Sequence, residues 1–294
     1  MRDSTEGIRM KIAVLSGKGG TGKTLVTVNL AALKNSSYID CDIEEPNGYL
    51  FFKPKDIEVE DISVRVPQVD RDLCNGCKKC VDFCRFNALA YARDSLIIFE
   101  DICHSCGGCM LICPENALSE KDRLIGRIEK GRSENVELYT GILNPGQPSG
   151  VPIIERLVEM ESLSNKEYSL IDSPPGSACI VMESIKDADY CVLVAEPTIF
   201  GAHNLSMVYD LVKLFKKPFG VILNKSLEGE NPSEDFCRKK KIKTLGSIPF
   251  DHDLGHLNSN GKIAVRESKK YKDLFSQILD KIIEEVENER NSNP

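Results

Sequence analysis

A glycine-rich segment near the start of the chain, Ser16 to Thr24 with the sequence SGKGGTGKT, constrains the fold more than any other stretch. The apolar run Lys11 to Leu15 precedes it, and a helical pattern of apolar residues begins after it at Leu25. A strand, a glycine loop and a helix in this order are the context of a phosphate-binding loop. The motif Gly-x-x-x-x-Gly-Lys-Thr is matched by Gly17, Gly22, Lys23 and Thr24.

The residue types in this loop suit a polyphosphate. Glycines lack a Cβ, so backbone N–H groups can turn inward around an anion while the following helix points its positive end at the same place. Lys23 would neutralise the β and γ phosphates, and the Thr24 hydroxyl would bind a magnesium ion. A flexible glycine turn that opens an ordinary helix is the alternative. The predicted nucleotide-binding residues of the loop are Gly17, Lys18, Gly19, Gly20, Thr21, Gly22, Lys23 and Thr24.

Lys18 adds a second lysine to the loop. The run KGGTGKT resembles the deviant phosphate-binding loop of the MinD superfamily, which includes the nitrogenase iron protein, the MinD-type division ATPases and the nucleotide-binding iron–sulfur scaffold proteins. In that family this lysine reaches the nucleotide of a partner subunit. The resemblance therefore implies a homodimer formed around two ATP molecules, with Lys18 and Lys23 as catalytic residues. A solvated loop cation is the alternative for Lys18.

The composition is that of a soluble globular protein, with 41% hydrophobic and 28% charged residues in a chain of 294. No apolar run is long enough to span a membrane, and the first residues, MRDSTEGIR, carry no apolar signal-peptide core. We therefore expect a cytoplasmic protein with no membrane partner. The net charge of −7 also argues against sequence-independent binding to nucleic acid.

Short apolar runs alternate with amphipathic helical patterns along much of the chain. This alternation predicts an α/β fold with a mostly parallel sheet that helices cover on both faces, which is also what the resemblance to a P-loop NTPase implies. A cysteine-rich stretch interrupts the pattern and is interpreted as an insertion. The predicted domains are residues 1–60 and 123–294 for the two parts of the ATPase, and residues 61–122 for the insertion. The predicted strands after the first are Ser37–Cys41, Tyr168–Ile171, Cys191–Ala195 and Phe219–Leu223, with two short strands within 123–143.

Eight of the twelve cysteines form two runs with the spacing C-x₂-C-x₂-C-x₃-C, separated by a constant offset of 29 residues. This is the bacterial ferredoxin pattern, and its duplication predicts an α+β ferredoxin domain with two [4Fe–4S] clusters. Zinc is the alternative, although tetrahedral zinc sites prefer Cys-x₂-Cys pairs that a longer loop separates. The predicted ligands are Cys74, Cys77, Cys80 and Cys84 in the first run and Cys103, Cys106, Cys109 and Cys113 in the second.

The fourth cysteine of each run is predicted to bind the cluster of the other run, as this pattern does in two-cluster ferredoxins. Cys113 would then complete the cluster of the first run, and Cys84 that of the second. Two clusters in one small domain indicate an electron relay. Cys179 lies where the nitrogenase iron protein carries a ligand of its dimer-bridging cluster, but a dimer of this chain would offer only two thiolates there, so we expect no bridging cluster.

Carboxylates after two predicted strands are candidates for the phosphate chemistry. Asp172 begins the run DSPPG, which resembles the second switch of the family, so Asp172 would hold the water shell of Mg²⁺ and Gly176 would meet the γ-phosphate. Asp40 and Asp42 resemble the first switch. Asp42 would orient the attacking water, and Asp40 would support the metal shell. A helix cap or turn acid is the alternative for this pair.

Two further residues are assigned by resemblance alone. Asn224 follows the apolar run Phe219–Leu223 and resembles the purine-contacting asparagine of the family, and the adenine edge would lie near Pro249. ATP is therefore preferred over GTP only through the family. A turn-capping side chain is the alternative for Asn224.

The resemblance to a MinD-superfamily ATPase with an inserted ferredoxin domain leads to one main hypothesis. ATP binding and hydrolysis would gate electron transfer through the two clusters to a redox partner protein. An ATP-dependent carrier or assembly factor that delivers iron–sulfur clusters to an acceptor protein is the alternative, although no Cys-x-x-Cys pair of the scaffold relatives follows Cys113. A positioning ATPase would need an amphipathic terminus for membranes, and the tail ENERNSNP is polar and acidic.

Overall fold

The computed structural model describes residues 9–176 and 179–292. Across these ranges, no helix is both long enough and apolar enough to cross a membrane. The strands in this part of the chain are β1 (Met10–Leu15), β2 (Ser36–Asp40), β3 (Lys55–Val69), β4 (Leu89–Ala92), β5 (Ser95–Ile98), β6 (Leu118–Ser133), β7 (Val136–Leu143), β8 (Tyr168–Asp172), β9 (Tyr190–Ala195), β10 (Phe219–Ser226) and β11 (Thr244–Pro249). The helices are α1 (Lys23–Ala32), α2 (Gly48–Phe52), α3 (Lys79–Phe83), α4 (Gly108–Leu111), α5 (Val151–Ser162), α6 (Cys179–Ile185), α7 (Ile199–Leu214), α8 (Pro232–Lys240), α9 (His252–Ser259), α10 (Ala264–Glu267) and α11 (Lys269–Ser292).

Nine of these strands form one sheet in the order β11-β10-β9-β1-β8-β2-β7-β6-β3. Every pair of neighbouring strands from β11 to β7 is parallel, whereas β6 is antiparallel to both of its neighbours, β7 and β3. The predicted α/β fold with a mostly parallel sheet is therefore confirmed. The carboxyl ends of β1, β2 and β8 lie side by side, because β8 pairs with both of the other two strands.

Helices pack on both faces of the sheet, and successive residues of each central strand feed opposite cores. Ile12 and Val14 of β1 belong to the core that α1, α10 and α11 cover. Ala13 and Leu15 belong to the core under α5, α6, α7 and α8. All four side chains are fully buried, which explains why β1 appears in the sequence as a continuous apolar run rather than as an alternating one.

The strands β3 and β6 form a long antiparallel ribbon at one edge of the sheet. Their pairing runs from Lys55 opposite Arg132 to Val69 opposite Leu118, and β6 also pairs with β7. The sequence pattern predicts only two short strands within 123–143, whereas β6 begins at residue 118, and no pattern indicates its partner β3. The predicted domain boundaries at residues 61 and 122 fall inside these two strands.

Residues 70–117, which connect the two strands of the ribbon, are called the distal region here. They contain the hairpin β4–β5, the short helices α3 and α4 and a small core of their own. Cys80 and Cys109 are buried in that core with Leu89 and Leu96. Both cysteine runs therefore lie at the end of the ribbon.

Candidate functional site

The predicted phosphate-binding loop lies between β1 and α1, in the order that the sequence predicts. Gly20 and Gly22 have φ angles of 81° and 90°, which L side chains rarely adopt. A Cβ at Gly22 would also lie 2.1 Å from Nδ2 of Asn224, and a Cβ at Gly17 would lie 2.3 Å from the carbonyl oxygen of Asn204. Close packing therefore requires glycine at both Gly17 and Gly22, and backbone conformation also requires it at Gly22.

A cavity of about 680 Å³ opens above the loop. This volume lies within the range of roughly 300–1,000 Å³ that is usual for small-molecule sites. The walls come from the last residues of β10 and from the loops that follow β1, β2, β8 and β11. The cavity therefore lies at the carboxyl ends of parallel strands, where α/β proteins bind ligands. The cavity is lined by residues of the glycine loop, both switches and the predicted adenine edge. They include Thr21, Thr24, Asp42, Pro174, Asn224 and Pro249.

Lys23 lies on the cavity floor, and the buried carboxylate of Asp172 is its closest charged partner. Nζ of Lys23 lies 2.6 Å from Oδ1 of Asp172 and 3.9 Å from Oδ2 of Asp42. Burial lowers the pKa of Lys23, but the neighbouring carboxylates, Asp172 first, outweigh it and raise that pKa above its ordinary value. The lysine is therefore charged, and it is held where an incoming phosphate would compete with two carboxylates for it.

The two aspartates of the first switch have different surroundings. Asp42 lines the cavity, and burial raises its pKa to about 6 against the opposing effect of Lys23. Asp40 is completely buried and accepts hydrogen bonds from the backbone N–H groups of Asp42, Asn47 and Gly48. These contacts are those of a turn acid, the alternative raised in the sequence analysis, and a role of Asp40 toward the metal stays a prediction.

The second switch lies against the glycine loop. The N–H group of Gly176 donates to the carbonyl oxygen of Ser16 at 3.0 Å, and Asp172 pairs with Asp40 across β8 and β2. The structure thus brings together Gly176, Asp172 and the loop, as the sequence predicts. Thr24 lies at the start of α1 and lines the cavity beside them.

The side chain of Asn224 is hydrogen-bonded to the glycine loop. Its Nδ2 donates to the carbonyl oxygen of Thr21 at 2.7 Å, and its side chain is buried. The predicted contact between Asn224 and a purine stays a prediction. Pro249 and Asn258 also line the cavity, and within residues 9–176 and 179–292 the buried Oδ1 atom of Asn258 has no hydrogen-bond partner.

Lys18 lies outside the cavity floor, with 44% of its side chain exposed. Its Nζ is 3.4 Å from Oε2 of Glu196, and Lys225 approaches Oε1 of the same carboxylate at 2.6 Å. Burial would raise the pKa of Glu196, but the two lysines, Lys225 first, outweigh it and hold the pKa below its ordinary value. Lys225 also donates to the carbonyl oxygen of Gly20 at 2.7 Å, so this ion-pair cluster is joined to the loop.

The two cysteine runs adopt the same local backbone. Positive φ angles occur at residues 76, 78 and 87, and again at residues 105, 107 and 116, which preserves the offset of 29. The last cysteine of each run accepts a backbone hydrogen bond, Cys84 from Ala88 at 3.4 Å and Cys113 from Ala117 at 3.3 Å. The sequence repeat is therefore also a structural repeat.

Cysteines from different runs share one small pocket in the distal region. The first three cysteines of the first run line it together with the last cysteine of the second run, and Tyr91 and Leu96 complete its wall. Over residues 9–176 and 179–292, no group of three or more His, Cys, Asp or Glu side chains is placed so that it could hold a metal ion. The thiols that line the pocket are those of Cys74, Cys77, Cys80 and Cys113.

The sequence profile of the CobQ/CobB/MinD/ParA nucleotide binding domain matches residues 12–265, which is most of the chain. The chain belongs to this nucleotide-binding family. The match begins in β1 and ends in α10, so it includes the glycine loop, both switches and the distal region between them.

Individual relatives agree with this membership. A Methanocaldococcus jannaschii protein named "Uncharacterized protein MJ0578" is 32% identical over 282 residues, which cover 95% of this chain and 98% of that protein. An iron-sulfur cluster carrier protein of the same organism is 25% identical over 317 residues, which cover 99% of this chain and 89% of the relative. Among solved structures, the septum site-determining protein MinD complexed with Mg-ADP from Pyrococcus horikoshii OT3 has a TM-score of 0.60 at 20% identity, covering 94% of this chain and 96% of that one. This last likeness shows that the fold is that of MinD.

Three residues near the site of this MinD/ParA family member were not predicted from the sequence. Glu196 pairs with Lys18, Asn258 lines the cavity, and Tyr38 donates a hydrogen bond to Asp172. The contacts of Glu196 and Tyr38 join residues more than 100 positions apart in the sequence, and Asn258 reaches the cavity only through the fold. No local motif could therefore have indicated these three residues. The one available signal was the position of Glu196 directly after an apolar strand, which is where α/β proteins place functional side chains.

Proposed function

We propose that this MinD/ParA-type protein binds and hydrolyses ATP, and that its nucleotide state gates electron transfer through two [4Fe–4S] clusters to a redox partner protein. One connection carries the proposal. The loop after Asp42 leads through the single short helix α2 directly into β3, and the ribbon that β3 forms with β6 holds the distal region with both cysteine runs. The phosphate-sensing segment and the cysteine region are thus joined by a short stretch of backbone.

The residues around the cavity suit ATP hydrolysis. Lys23 would turn from the carboxylate of Asp172 to the β and γ phosphates, which carry more charge. Thr24 and the water shell held by Asp172 would bind Mg²⁺, which supplies charge neutralisation on the phosphates. Asp42 would orient the attacking water from its place on the cavity wall, and Lys18 would reach the nucleotide of a second subunit after leaving Glu196.

The distal region suits two iron–sulfur clusters, which we place within the predicted insertion at residues 61–122. A [4Fe–4S] cluster takes one thiolate at each of four irons, so its ligands spread around the cluster rather than converge on a single ion. Four thiols from the two runs line one pocket in the crossed combination that this ligation needs, and the last cysteine of each run already accepts an N–H group. Backbone hydrogen bonds to ligating sulfur tune the reduction potential of a cluster.

Anaerobic purification and a rate measurement test this proposal. We expect about eight iron ions and about eight acid-labile sulfides per chain, because two [4Fe–4S] clusters contain that number. The reduced protein should transfer electrons to cytochrome c at a rate that changes when MgATP is added. Zinc in place of iron, or a rate that MgATP leaves unchanged, would contradict the proposal.

A cluster carrier or assembly factor is the second candidate, and the relatives named iron-sulfur cluster carrier protein favour it. In this function ATP would control release of a whole cluster to an acceptor protein. Radiolabelled iron distinguishes the two functions, since an electron-transfer protein keeps its iron when it is mixed with an apo-ferredoxin and MgATP. Transfer of the label to the apo-ferredoxin would support the carrier function instead.

A further inference from the structure

Tyr38 is a buried tyrosine in β2 that has no role in the proposed chemistry so far. Its side chain is fully buried, and its hydroxyl donates to Oδ2 of Asp172 at 2.8 Å. The other carboxylate oxygen of Asp172 accepts from Lys23 at 2.6 Å and from Thr27 at 3.3 Å. Both oxygens of the carboxylate that is predicted to hold the water shell of Mg²⁺ are therefore held in place by neighbouring donors.

The hydroxyl of Tyr38 is the donor in its contact with Asp172. A protonated phenol beside a buried carboxylate can only donate to it, so the contact orients Asp172 in one direction.

The ring of Tyr38 packs against the helix that leads into the ribbon. A Cβ at Gly48 would lie 2.2 Å from the ring, so the backbone of α2 rests directly on it. The ring of Phe52 lies 5.1 Å from the ring of Tyr38, measured between centroids, at an angle of 53°. The carbonyl oxygen of Phe52 in turn accepts from Oγ of Ser133, the last residue of β6, at 2.6 Å.

We propose that Tyr38 is a positioning residue that holds the Asp172 carboxylate for the metal shell and passes a change at that carboxylate to α2, and from there to the ribbon. The part that concerns the ribbon rests on the proposed function. When phosphates draw Lys23 away from Asp172, the carboxylate loses its closest partner and keeps the bond to Tyr38. Because packed interiors move as discrete units rather than deforming smoothly, a shift of the Tyr38 ring displaces α2 with it.

Two substitutions separate the two ends of this contact chain. Tyr38→Phe keeps the ring and removes the hydroxyl. We therefore expect the Mg²⁺ concentration that gives half-maximal binding of a fluorescent ATP analogue to rise about tenfold, because one hydrogen bond to a charged group is lost. Excess Mg²⁺ should restore binding. Phe52→Leu keeps the hydroxyl and removes the ring contact, so Mg²⁺ dependence should stay within about twofold of wild type.

Hydrogen exchange of the full chain tests the second part. We expect the hydrogen exchange of residues 55–69 to change in the wild-type protein when MgATP is added. The same change should occur in the control Tyr190→Phe, which removes the hydroxyl of another buried tyrosine, in β9. The change should be lost in Tyr38→Phe at saturating MgATP and in Phe52→Leu. Thermal unfolding of each variant checks that the fold is retained, and the Phe52→Leu measurement stands if Tyr38→Phe does not fold.

The outcomes separate this inference from the proposed function. Wild-type Mg²⁺ dependence in Tyr38→Phe would overturn the positioning role, and an unchanged ribbon response in Phe52→Leu, or no response in the wild type, would overturn the transmission. If the ribbon responds as expected while electron transfer to cytochrome c ignores MgATP, the gating proposal fails and the role of Tyr38 stands.

Discussion

At the scale of single residues, the site is defined by a lysine held among carboxylates. Lys23 lies between Asp172 and Asp42, and all three side chains are at least partly withdrawn from water. A buried ion pair of this kind contributes little to stability because of its desolvation penalty, but removal of one partner leaves an uncompensated charge. The arrangement therefore suits a site in which a polyphosphate replaces one partner of the lysine.

The raised pKa of Asp42, together with its proposed role, predicts that hydrolysis is sensitive to mild acid. Burial raises this pKa to about 6, with Asp172, Glu45 and Glu44 acting in the same direction and Lys23 against it. In its proposed role Asp42 orients water only as a carboxylate, so kcat/KM for ATP should fall as the pH falls through about 6. Steady-state ATPase assays across this pH range measure the effect.

Asp42→Asn tests the same assignment without a change of pH. We expect kcat to fall about 100-fold, the lower end of the usual contribution of a general base. Asp273→Asn is the matched control, since it makes the same change at an exposed carboxylate of α11 that does not line the cavity, and it should retain nearly full activity. An Asp42→Asn protein with the wild-type rate and pH profile would show that another group orients the water.

The sequence predicted the residues of the site that belong to a local motif. The glycine loop, Asp172 and Asp42 meet in the structure because each follows a buried strand of the same parallel sheet. Glu196 and Asn258 could not be predicted in this way, since their significance depends on which strands and helices become neighbours. The same limit applies to Tyr38, which resembles an ordinary core residue until its hydroxyl is seen beside Asp172.

At the scale of elements, the ribbon of β3 and β6 is the feature that the sequence analysis missed. Most side chains of β3 are exposed or half-buried, so its sequence lacks the continuous apolar run that identifies central strands such as β1 and β9. A strand at a sheet edge is specified by pairing with a partner distant in sequence. The cysteine repeat, by contrast, was evident from spacing alone.

Crossed ligation in the distal region predicts which thiols become reactive when one ligand is removed. Cys113→Ser should expose the first three cysteines of the first run to alkylation, because Cys113 lines their pocket rather than a pocket of its own run. Cys84→Ser is the matched variant and should expose the first three cysteines of the second run. Mass spectrometry after anaerobic iodoacetamide treatment identifies the alkylated peptides.

The opposite labelling pattern would contradict crossed ligation. If Cys113→Ser exposed Cys103, Cys106 and Cys109 while the first run stayed protected, each run would hold its own cluster. Equal labelling of both runs in the wild-type protein would mean that neither set of thiols is bound.

At the scale of the whole molecule, the proposal joins two subunits and two kinds of cofactor. Lys18 is held by Glu196 of its own chain in this structure, and its side chain is nearly half exposed. When Lys18 leaves, Glu196 keeps its ion pair with Lys225 at 2.6 Å, so the carboxylate is not left unpaired. A nucleotide in a second subunit would offer Lys18 more negative charge than one carboxylate does.

ATP-dependent dimerisation is the prediction at this scale. The Asp42→Asn protein, in which hydrolysis is slow, should sediment as a dimer with ATP, and the Lys18→Ala/Asp42→Asn double variant should sediment as a monomer under the same conditions. Lys213→Ala, which removes an exposed lysine of α7, is the control in the same Asp42→Asn background and should still dimerise. A Lys18→Ala/Asp42→Asn protein that dimerises as well as the control would rule out this role for Lys18.

Reduction potentials of the two clusters, measured by anaerobic titration with and without MgATP, test the central claim most directly. The account predicts that MgATP shifts at least one potential in the wild-type protein and that Lys23→Ala, which cannot hold the phosphates, shows no shift. A shift of about 59 mV would correspond to a tenfold change in the equilibrium of a one-electron couple. Potentials that stay the same with and without MgATP in the wild-type protein would contradict it.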